Sequence, residues 1–291
     1  MSDVEHILPA RNVLGEGPLW SIEEQALYWV DIESGTYSRF SPATGAYAVV
    51  NVGVPVGVMA LRASGGLVMA TRDGFAFWES QTQELRYIAK PEEGKPHMRF
   101  NDGAVDCAGR FWAGSMNQDE QAPAEGTLYR LDPDGSVHAM FTPAAVPNGI
   151  GWSPDNTTMY FTDSPLRTIF AFDFDAATGE IANRRIFVHT PDDRAAPDGL
   201  TVDSEGCIWS ACWGGARIVR YNPAGTVERT IQVPALYVTS CVFGGPHLDE
   251  LYITSASRRL TEKQKQRYPL SGDLFRLKTD IKGLEKFKFG G

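Results

Sequence analysis

The sequence predicts an all-β fold, a closed six-bladed β-propeller, and three observations support this prediction. Short apolar runs rich in Val, Ile, Tyr, Phe and Trp recur along the 291 residues, with Gly, Pro, Asp and Asn between them. A single short segment, residues 259–267, has the pattern of a helix. The runs also repeat, in six units spaced by 41, 44, 47, 50 and 41 residues, which is the period of propeller blades.

The repeat is clearest in two segments that align residue by residue. NDGAVDCAGRFWAG and PDGLTVDSEGCIWSA match when Asp106 is placed on Asp203, which also brings a glycine and a tryptophan of each segment into register. The residue five positions before Asp106, and five before the matching residue of each other unit, gives one equivalent position per unit. These positions are Glu16, Gly57, Asn101, Asn148, Asp198 and Thr239.

Six units account for nearly the whole chain, so we expect residues 1–291 to form a single propeller domain. A propeller that closes its ring exposes only short, protected sheet edges. We therefore expect the two ends of the chain to meet in one blade. The segment before Glu16 would pair there with the sheet that ends near GDLFRL.

Equivalent positions on the first strand of each blade form a ring around the propeller axis, and four of the six members carry oxygen donors. Two of them, Glu16 and Asp198, bring carboxylates that are costly to bury face to face without compensation. A divalent cation would compensate them, and all-oxygen ligands suit Ca²⁺, Mg²⁺ or Mn²⁺, with Zn²⁺ and Fe²⁺ still open. Alternatively, these residues only hydrogen-bond turns at strand starts. That alternative does not explain their common register.

Composition narrows the classes of partner. The net charge of −9 disfavours nucleic acid and anionic membrane surfaces, which attract clustered Lys and Arg. The N-terminus lacks the pattern of a signal peptide, and the four cysteines form no CxxC pair. These features predict a cytoplasmic protein with free thiols. We expect the chain to be a monomer or a weak homo-oligomer.

Several segments, in order along the chain, resemble those of a known family. LGEGPLW, RFNDGAVDCAGRFWAGSM, PNGIGWSPDNTTMYFTD, PDGLTVDSEGCIWSA and VTSCVFGG are similar to signature segments of the senescence-marker-protein/gluconolactonase/luciferin-regenerating-enzyme family. The resemblance runs from Val13 to about Leu277. It implies a six-bladed propeller that uses a divalent metal to hydrolyse sugar lactones, such as glucono-, xylono- or arabinono-lactone, to the aldonic acids.

The resemblance also implies roles for individual residues. Glu16, Asn148 and Asp198 match the family's metal ligands, and Asp198 could in addition act as the general base. Because metal contact lowers the pKa of a carboxylate that is already a weak base, the metal would have to supply much of the activation of water.

Substrate contacts follow from the same comparison. Arg99 and Asn101 match the substrate-binding residues of the RxND segment, and a lid follows with one acid that contacts sugar hydroxyls. The lid segment GSMNQDEQAPAEG contains both Asp119 and Glu120, and Asp119 is the preferred candidate.

Two other classes of function stay open at the level of sequence. One is a metal-dependent esterase or organophosphate hydrolase, since similar propellers hydrolyse such substrates. The other is a non-catalytic, calcium-binding propeller that serves as a scaffold, because a fold by itself does not establish a function. A serine nucleophile is not indicated, since the chain contains no GxSxG motif.

Overall fold

The computed structural model describes residues 4–191 and 194–291 and shows six four-stranded antiparallel sheets around a central axis. This confirms the predicted all-β, six-bladed propeller. Apolar runs that alternate or are continuous become strands because each sheet packs against a neighbour on both faces, so that most middle strands are buried.

The first three blades each follow the order of the chain from the axis outward. Their strands are β2 (Gly15–Ser21), β3 (Ala26–Asp31), β4 (Thr36–Ser41) and β5 (Ala46–Asn51); β6 (Val56–Leu61), β7 (Leu67–Thr71), β8 (Gly74–Glu79) and β9 (Glu84–Ala89); and β10 (Met98–Val105), β11 (Phe111–Asn117), β12 (Gly126–Leu131) and β13 (Val137–Ala144).

Blades four and five repeat this order, and blade six combines both ends of the chain. Their strands are β14 (Pro147–Trp152), β15 (Thr158–Asp163), β16 (Thr168–Phe174) and β17 (Ile181–His189); β18 (Ala196–Val202), β19 (Ile208–Trp213), β20 (Arg217–Tyr221) and β21 (Val227–Gln232); and β22 (Tyr237–Gly244), β23 (Glu250–Ala256), β24 (Leu274–Lys278) and β1 (Glu5–Leu8). Between β23 and β24 lies α1 (Glu262–Arg267), within the predicted helical segment and capped by Thr261 and Gln264.

The ring closes in blade six, as predicted. Strand β1 pairs antiparallel with β24 and places Glu5 opposite Arg276, so the N-terminal segment supplies the outermost strand of the last blade. At the axis, the Thr239 hydroxyl of β22 donates a hydrogen bond to the Gly15 carbonyl of β2 over 2.5 Å. The first and last blades are therefore joined both at the rim and at the hub.

The pairing of every innermost strand with its neighbour is irregular at the same place. The register shifts at or next to Glu16, Gly57, Asn101, Asn148, Asp198 and Thr239. A β-bulge bends the strand and re-aims a side chain. The common register found in the sequence therefore corresponds to one repeated bulge that directs these six positions toward the axis.

Close packing at the hub also requires small residues. A Cβ on Gly57 would lie 2.4 Å from the Asn101 carbonyl oxygen, and one on Gly199 would lie 2.1 Å from Ser240 Oγ. Neighbouring inner strands thus approach too closely for a side chain at these positions. Farther out, apolar clusters fill the space between successive blades.

The aspartate and tryptophan that align in the sequence repeat form the same buried cluster in two blades. Asp106 is completely buried and accepts hydrogen bonds from Arg110 Nε at 2.6 Å and Trp112 Nε1 at 2.9 Å. In blade five, Asp203 accepts from Trp209 Nε1 and Arg220 Nε, both at 2.8 Å. The repeat therefore preserves a buried ion pair that is also hydrogen-bonded to an indole.

The C-terminal segment crosses the propeller on the face opposite the bulges. Gly283 bridges to Asp203 in blade five, and Phe289 bridges to Arg62 in blade two. Between these points, Lys286 and Phe287 line a small axial cavity of about 50 Å³ together with residues from all six inner strands. The segment therefore lies across that end of the central channel.

The first prediction concerns the Asp106 cluster. Replacing Asp106 with Ala leaves the Arg110 guanidinium buried without its partner, which should lower the free energy of unfolding by about 3–5 kcal/mol. Urea denaturation followed by tryptophan fluorescence measures this loss. The control is Asp173→Ala, which removes an exposed carboxylate paired with exposed Arg185 and should barely move the midpoint. Equal midpoints for both variants would contradict the structural role of Asp106.

Candidate active site at the propeller axis

Four of the predicted ring residues line one pocket of about 350 Å³. Glu16, Asn101, Asn148 and Asp198 are all buried and come from the inner strands of blades one, three, four and five. The pocket wall is completed by Leu14, Arg99, Met116, Glu120, Gln121, Val146, Ser164, Pro165, Arg167, Ala196, Trp213 and Arg258. The structure thus brings together the three predicted ligands and two of the three predicted substrate-binding residues, Arg99 and Asn101, whose roles stay predictions.

A chain of hydrogen bonds connects three blades across the floor of this pocket. Arg99 Nη1 donates to Asn101 Oδ1 at 2.6 Å, and Asn101 Nδ2 donates to Asn148 Oδ1 at 2.9 Å. Asn148 Nδ2 then donates to Ser164 Oγ at 2.8 Å, and that hydroxyl donates to the Pro197 carbonyl at 2.7 Å. Because their N–H groups already donate to fixed acceptors, the side-chain amides of Asn101 and Asn148 have a fixed orientation. Asn148 therefore turns its oxygen, the atom that can bind a cation, away from Ser164.

Aspartates at the ends of two second strands fix the entry to the inner strands. Asp31 accepts hydrogen bonds from the backbone N–H groups of Val13 and Leu14 at 2.9 and 3.0 Å. Asp163 does the same for the two residues that precede Pro147. These bonds anchor the backbone just before Glu16 and Asn148, so the functional side chains start from rigid positions.

Burial dominates the electrostatics of the three axial carboxyl groups. It raises the pKa of Glu16 to about 8, with a further contribution from the charge of Asp102, and it raises the pKa of Asp102 to about 6. Burial, followed by the charges of Glu16 and Asp102, raises the pKa of Asp198 well above its ordinary value. Without a cation, the Glu16 carboxyl group therefore favours its protonated form at neutral pH, whereas Asp102 is mostly ionised there.

Asp198 has an oxygen that the protein leaves without a partner. Its Oδ1 is buried and has no hydrogen-bond partner among the described residues, although a buried acceptor normally has one. The unpaired atom lies in a pocket that also holds the Glu16 carboxylate and the Asn148 amide. This donor set fits a hard divalent cation.

Arg99 is the buried cation of the site. Burial and the nearby charge of Arg258 lower its pKa to about 10, so it stays protonated at neutral pH. Its Nη1 also donates to the Phe100 carbonyl at 3.0 Å, which holds the guanidinium in place. A fixed, charged donor can stabilise negative charge that develops on a substrate oxygen.

The lid loop places its two acids differently. Glu120 lines the pocket, and its carboxylate lies 3.3 Å from Arg258 and 3.6 Å from Arg259. Asp119 is exposed, is not among the residues that line the pocket, and accepts a hydrogen bond from the backbone of Gln121 at 3.1 Å. The geometry therefore favours Glu120 over the preferred candidate Asp119, because the Asp119 carboxylate serves the turn of its own loop.

Three residues of the wall were not found by sequence reasoning. Ser164 and Arg167 follow β15, and Arg258 follows β23; none shares the phase of the ring residues. An aromatic or an arginine in such a loop carries no periodic signal. For Trp213, at the end of β19, the sequence favoured core packing over a place beside the pocket, but the residue lines the pocket wall.

A second group of acidic and thiol side chains lies outside this pocket. Among the described residues, Asp203, Glu205 and Cys207 offer atoms close enough to hold a metal. Arg220 already contacts this group, since it donates to Asp203 at 2.8 Å and to Glu205 at 2.5 Å. The negative charge there is compensated by the protein, in contrast to the axial group.

Comparisons with known proteins identify the family. Residues 14–257 match the SMP-30/Gluconolactonase/LRE-like region. The chain belongs to this family. Regucalcin of Xenopus laevis is 38% identical over 99% of this chain and 98% of its own. The pentonolactonase XacC of Haloferax volcanii is 39% identical over 94% of both chains.

A solved structure shows the same arrangement of strands. The calcium-binding protein regucalcin from Agrobacterium tumefaciens superposes with a TM-score of 0.94 at 27% identity, over 99% of this chain and 97% of its own. The family and its propeller are therefore shown over nearly the full length. Within the described residues, every helix is too short or too polar to cross a membrane.

The second prediction links cation binding to pH. Unfolded Glu and Asp have pKa values near 4, while the folded, cation-free protein holds protons on Glu16 and Asp102 up to about pH 8 and 6. The folded state therefore binds more protons, and the melting temperature of chelator-treated protein should fall as pH rises from about 5 to 8.

Calcium should reverse this trend, because it takes the place of the protons. We expect Ca²⁺ to raise the melting temperature more at pH 8 than at pH 5.5, as measured by differential scanning fluorimetry. Glu16→Gln, which removes one of the titrating groups, should flatten the pH dependence and weaken the response to Ca²⁺. A cation-free melting temperature that rises steadily over this pH range would contradict the assignment.

Proposed function

We propose that this chain hydrolyses sugar lactones with the help of one divalent cation held by Glu16, Asn148 and Asp198. The observation that carries the proposal is the buried, unpartnered Asp198 Oδ1 in a pocket shared with Glu16 and with the Arg99–Asn101 pair. A pentonolactonase is among the relatives, and a calcium-binding protein shares the fold. Both support the proposal.

The donor set supports a hard cation such as Ca²⁺, Mg²⁺ or Mn²⁺. When bound, such an ion supplies charge neutralisation at the axis and Lewis-acid polarisation of the ester carbonyl. Zn²⁺ and Fe²⁺ also accept oxygen ligands. Ca²⁺ is therefore tested first and compared with Mg²⁺, Mn²⁺, Zn²⁺ and Fe²⁺.

The chain's own residues account for the remaining chemistry. A lactone is a cyclic ester, so water must attack its carbonyl carbon and the ring C–O bond must break. Asp198 accepts the proton of the attacking water on a carboxylate oxygen and can return it to the ring oxygen as that oxygen leaves. The Arg99 guanidinium stabilises the negative charge that develops on the carbonyl oxygen.

Asn101 and the lid complete the proposed site. Asn101 is held between Arg99 and Asn148, so its amide can orient the lactone beside Asp198. From the lid, Glu120 accepts hydrogen bonds from sugar hydroxyls.

The free cysteines of the described chain are consistent with the proposed cytoplasmic location.

Two alternatives make different predictions. An esterase or organophosphate hydrolase would use the same carboxylates but would not need the polar lid. A non-catalytic calcium-binding propeller is suggested by the structural similarity to the calcium-binding protein of Agrobacterium tumefaciens. A non-catalytic calcium-binding propeller does not need a buried arginine such as Arg99 in the wall of its cation site, so we favour the enzyme.

The third prediction tests catalysis directly. Asp198→Asn keeps the volume but removes the base and one negative charge, so kcat/KM for xylono- or glucono-lactone should fall about 10²- to 10⁴-fold. Acid release at constant pH measures the rate, with and without chelator. The control is Asp155→Asn, an exposed carboxylate outside the pocket. If the wild-type protein binds Ca²⁺ but opens no lactone, the scaffold alternative is correct.

The fourth prediction separates the two lid acids. Glu120→Gln weakens acceptance from substrate hydroxyls and should raise KM for sugar lactones about tenfold or more, with a smaller change in kcat. Asp119→Asn is the matched control in the same loop and should leave KM near the wild-type value. The reverse result would restore Asp119 as the lid acid.

A further inference from the structure

One arginine of the pocket wall is held in place by an ion pair. Arg258 is about 10% exposed, and its Nε lies 2.9 Å from Glu33 Oε1. A guanidinium has five N–H donors in a fixed plane, and this contact uses one edge of it. Since Arg258 lines the pocket, its other N–H groups can donate to a ligand there.

The backbone positions Arg258 firmly beside the candidate active site. Its N–H donates to the Val13 carbonyl at 3.0 Å, immediately before the strand that carries Glu16. The guanidinium lines the same pocket as Arg99 and is close enough to lower the pKa of Arg99. Arg258 is therefore part of the wall and not a mobile surface arginine.

Arg258 also contacts the lid loop, which lies on the opposite side of the propeller. It follows β23 in blade six, whereas Glu120 follows β11 in blade three, and Arg258 Nη1 lies 3.3 Å from Glu120 Oε1. A strong donor and a strong acceptor thus stand side by side over the pocket. Two neighbouring hydroxyl groups of a sugar can bind such a pair, since one donates to the carboxylate and the other accepts from the guanidinium.

We infer that Arg258 and Glu120 form a clamp for a vicinal diol of the substrate, with Arg258 as a specificity-determining residue. One hydroxyl donates to the Glu120 carboxylate, and the neighbouring oxygen accepts from Arg258. A substrate carboxylate fits this clamp poorly, because Glu120 would repel it. The inference rests on the proposed function and narrows its substrates to lactones with adjacent free hydroxyls.

The kinetic test compares lactones with and without hydroxyls. For each protein, the ratio of kcat/KM for xylonolactone to that for γ-butyrolactone is measured. Arg258→Met should lower this ratio about 10- to 100-fold, as expected for a lost hydrogen bond to a charged group. The matched control, Arg259→Met, removes an exposed arginine that lies 3.6 Å from Glu120 and should leave the ratio unchanged. A merely structural role of Arg258 would lower both rates equally and overturn the inference.

A binding measurement keeps the inference testable apart from turnover. The dissociation constant of arabitol, a polyol that cannot be hydrolysed, is measured by calorimetry with the Ca²⁺-loaded proteins. It should rise about tenfold or more in Arg258→Met, and Arg258→Lys should restore part of the loss. If the wild type opens no lactone, the proposed function fails, while weaker arabitol binding by Arg258→Met would still support the clamp. Equal arabitol binding by wild type and Arg258→Met, or none by the wild type, would refute it.

Discussion

The burial of two carboxylates at one point of the axis is the constraint on which the site depends. Glu16 and Asp198 are 182 residues apart in the chain and are each almost completely removed from water. Bringing such groups together costs free energy that a solvated pair would not. The closed ring supplies the rigidity that holds them there, because the bulged inner strands cannot move apart while β1 and β24 keep the last blade shut.

The fold and the hub of the site were predictable because both are periodic. Each blade needs an inner strand that bends at the same point, so Asp106 and Asp203 mark a phase that also locates Asn101 and Asp198. The ring closure followed from the same reasoning, since an open propeller would expose a sheet edge. Identities mattered less than register, which is why Gly57 was assigned to the ring although it carries no ligand.

The rim of the site could not be predicted in this way. Glu120 and Arg258 belong to loops of opposite blades, and their contact depends on the lengths and turns of both loops. The sequence does not show which of the adjacent acids Asp119 and Glu120 is used by the turn of the loop. The hydrogen bond from the Gln121 backbone to Asp119 favours Glu120 as the lid acid. Loops carry specificity, and their contacts are set by tertiary structure rather than by a local pattern.

The C-terminal segment lies across one end of the central channel and closes the propeller axis at that end. Lys286 and Phe287 stand at its base, where apolar side chains of all six inner strands also converge. Because the segment covers this end of the axis, we expect substrate and product to enter and leave the pocket on the opposite face of the propeller. Product must then leave the pocket before the next substrate molecule binds, and product that accumulates competes with substrate for the same entrance.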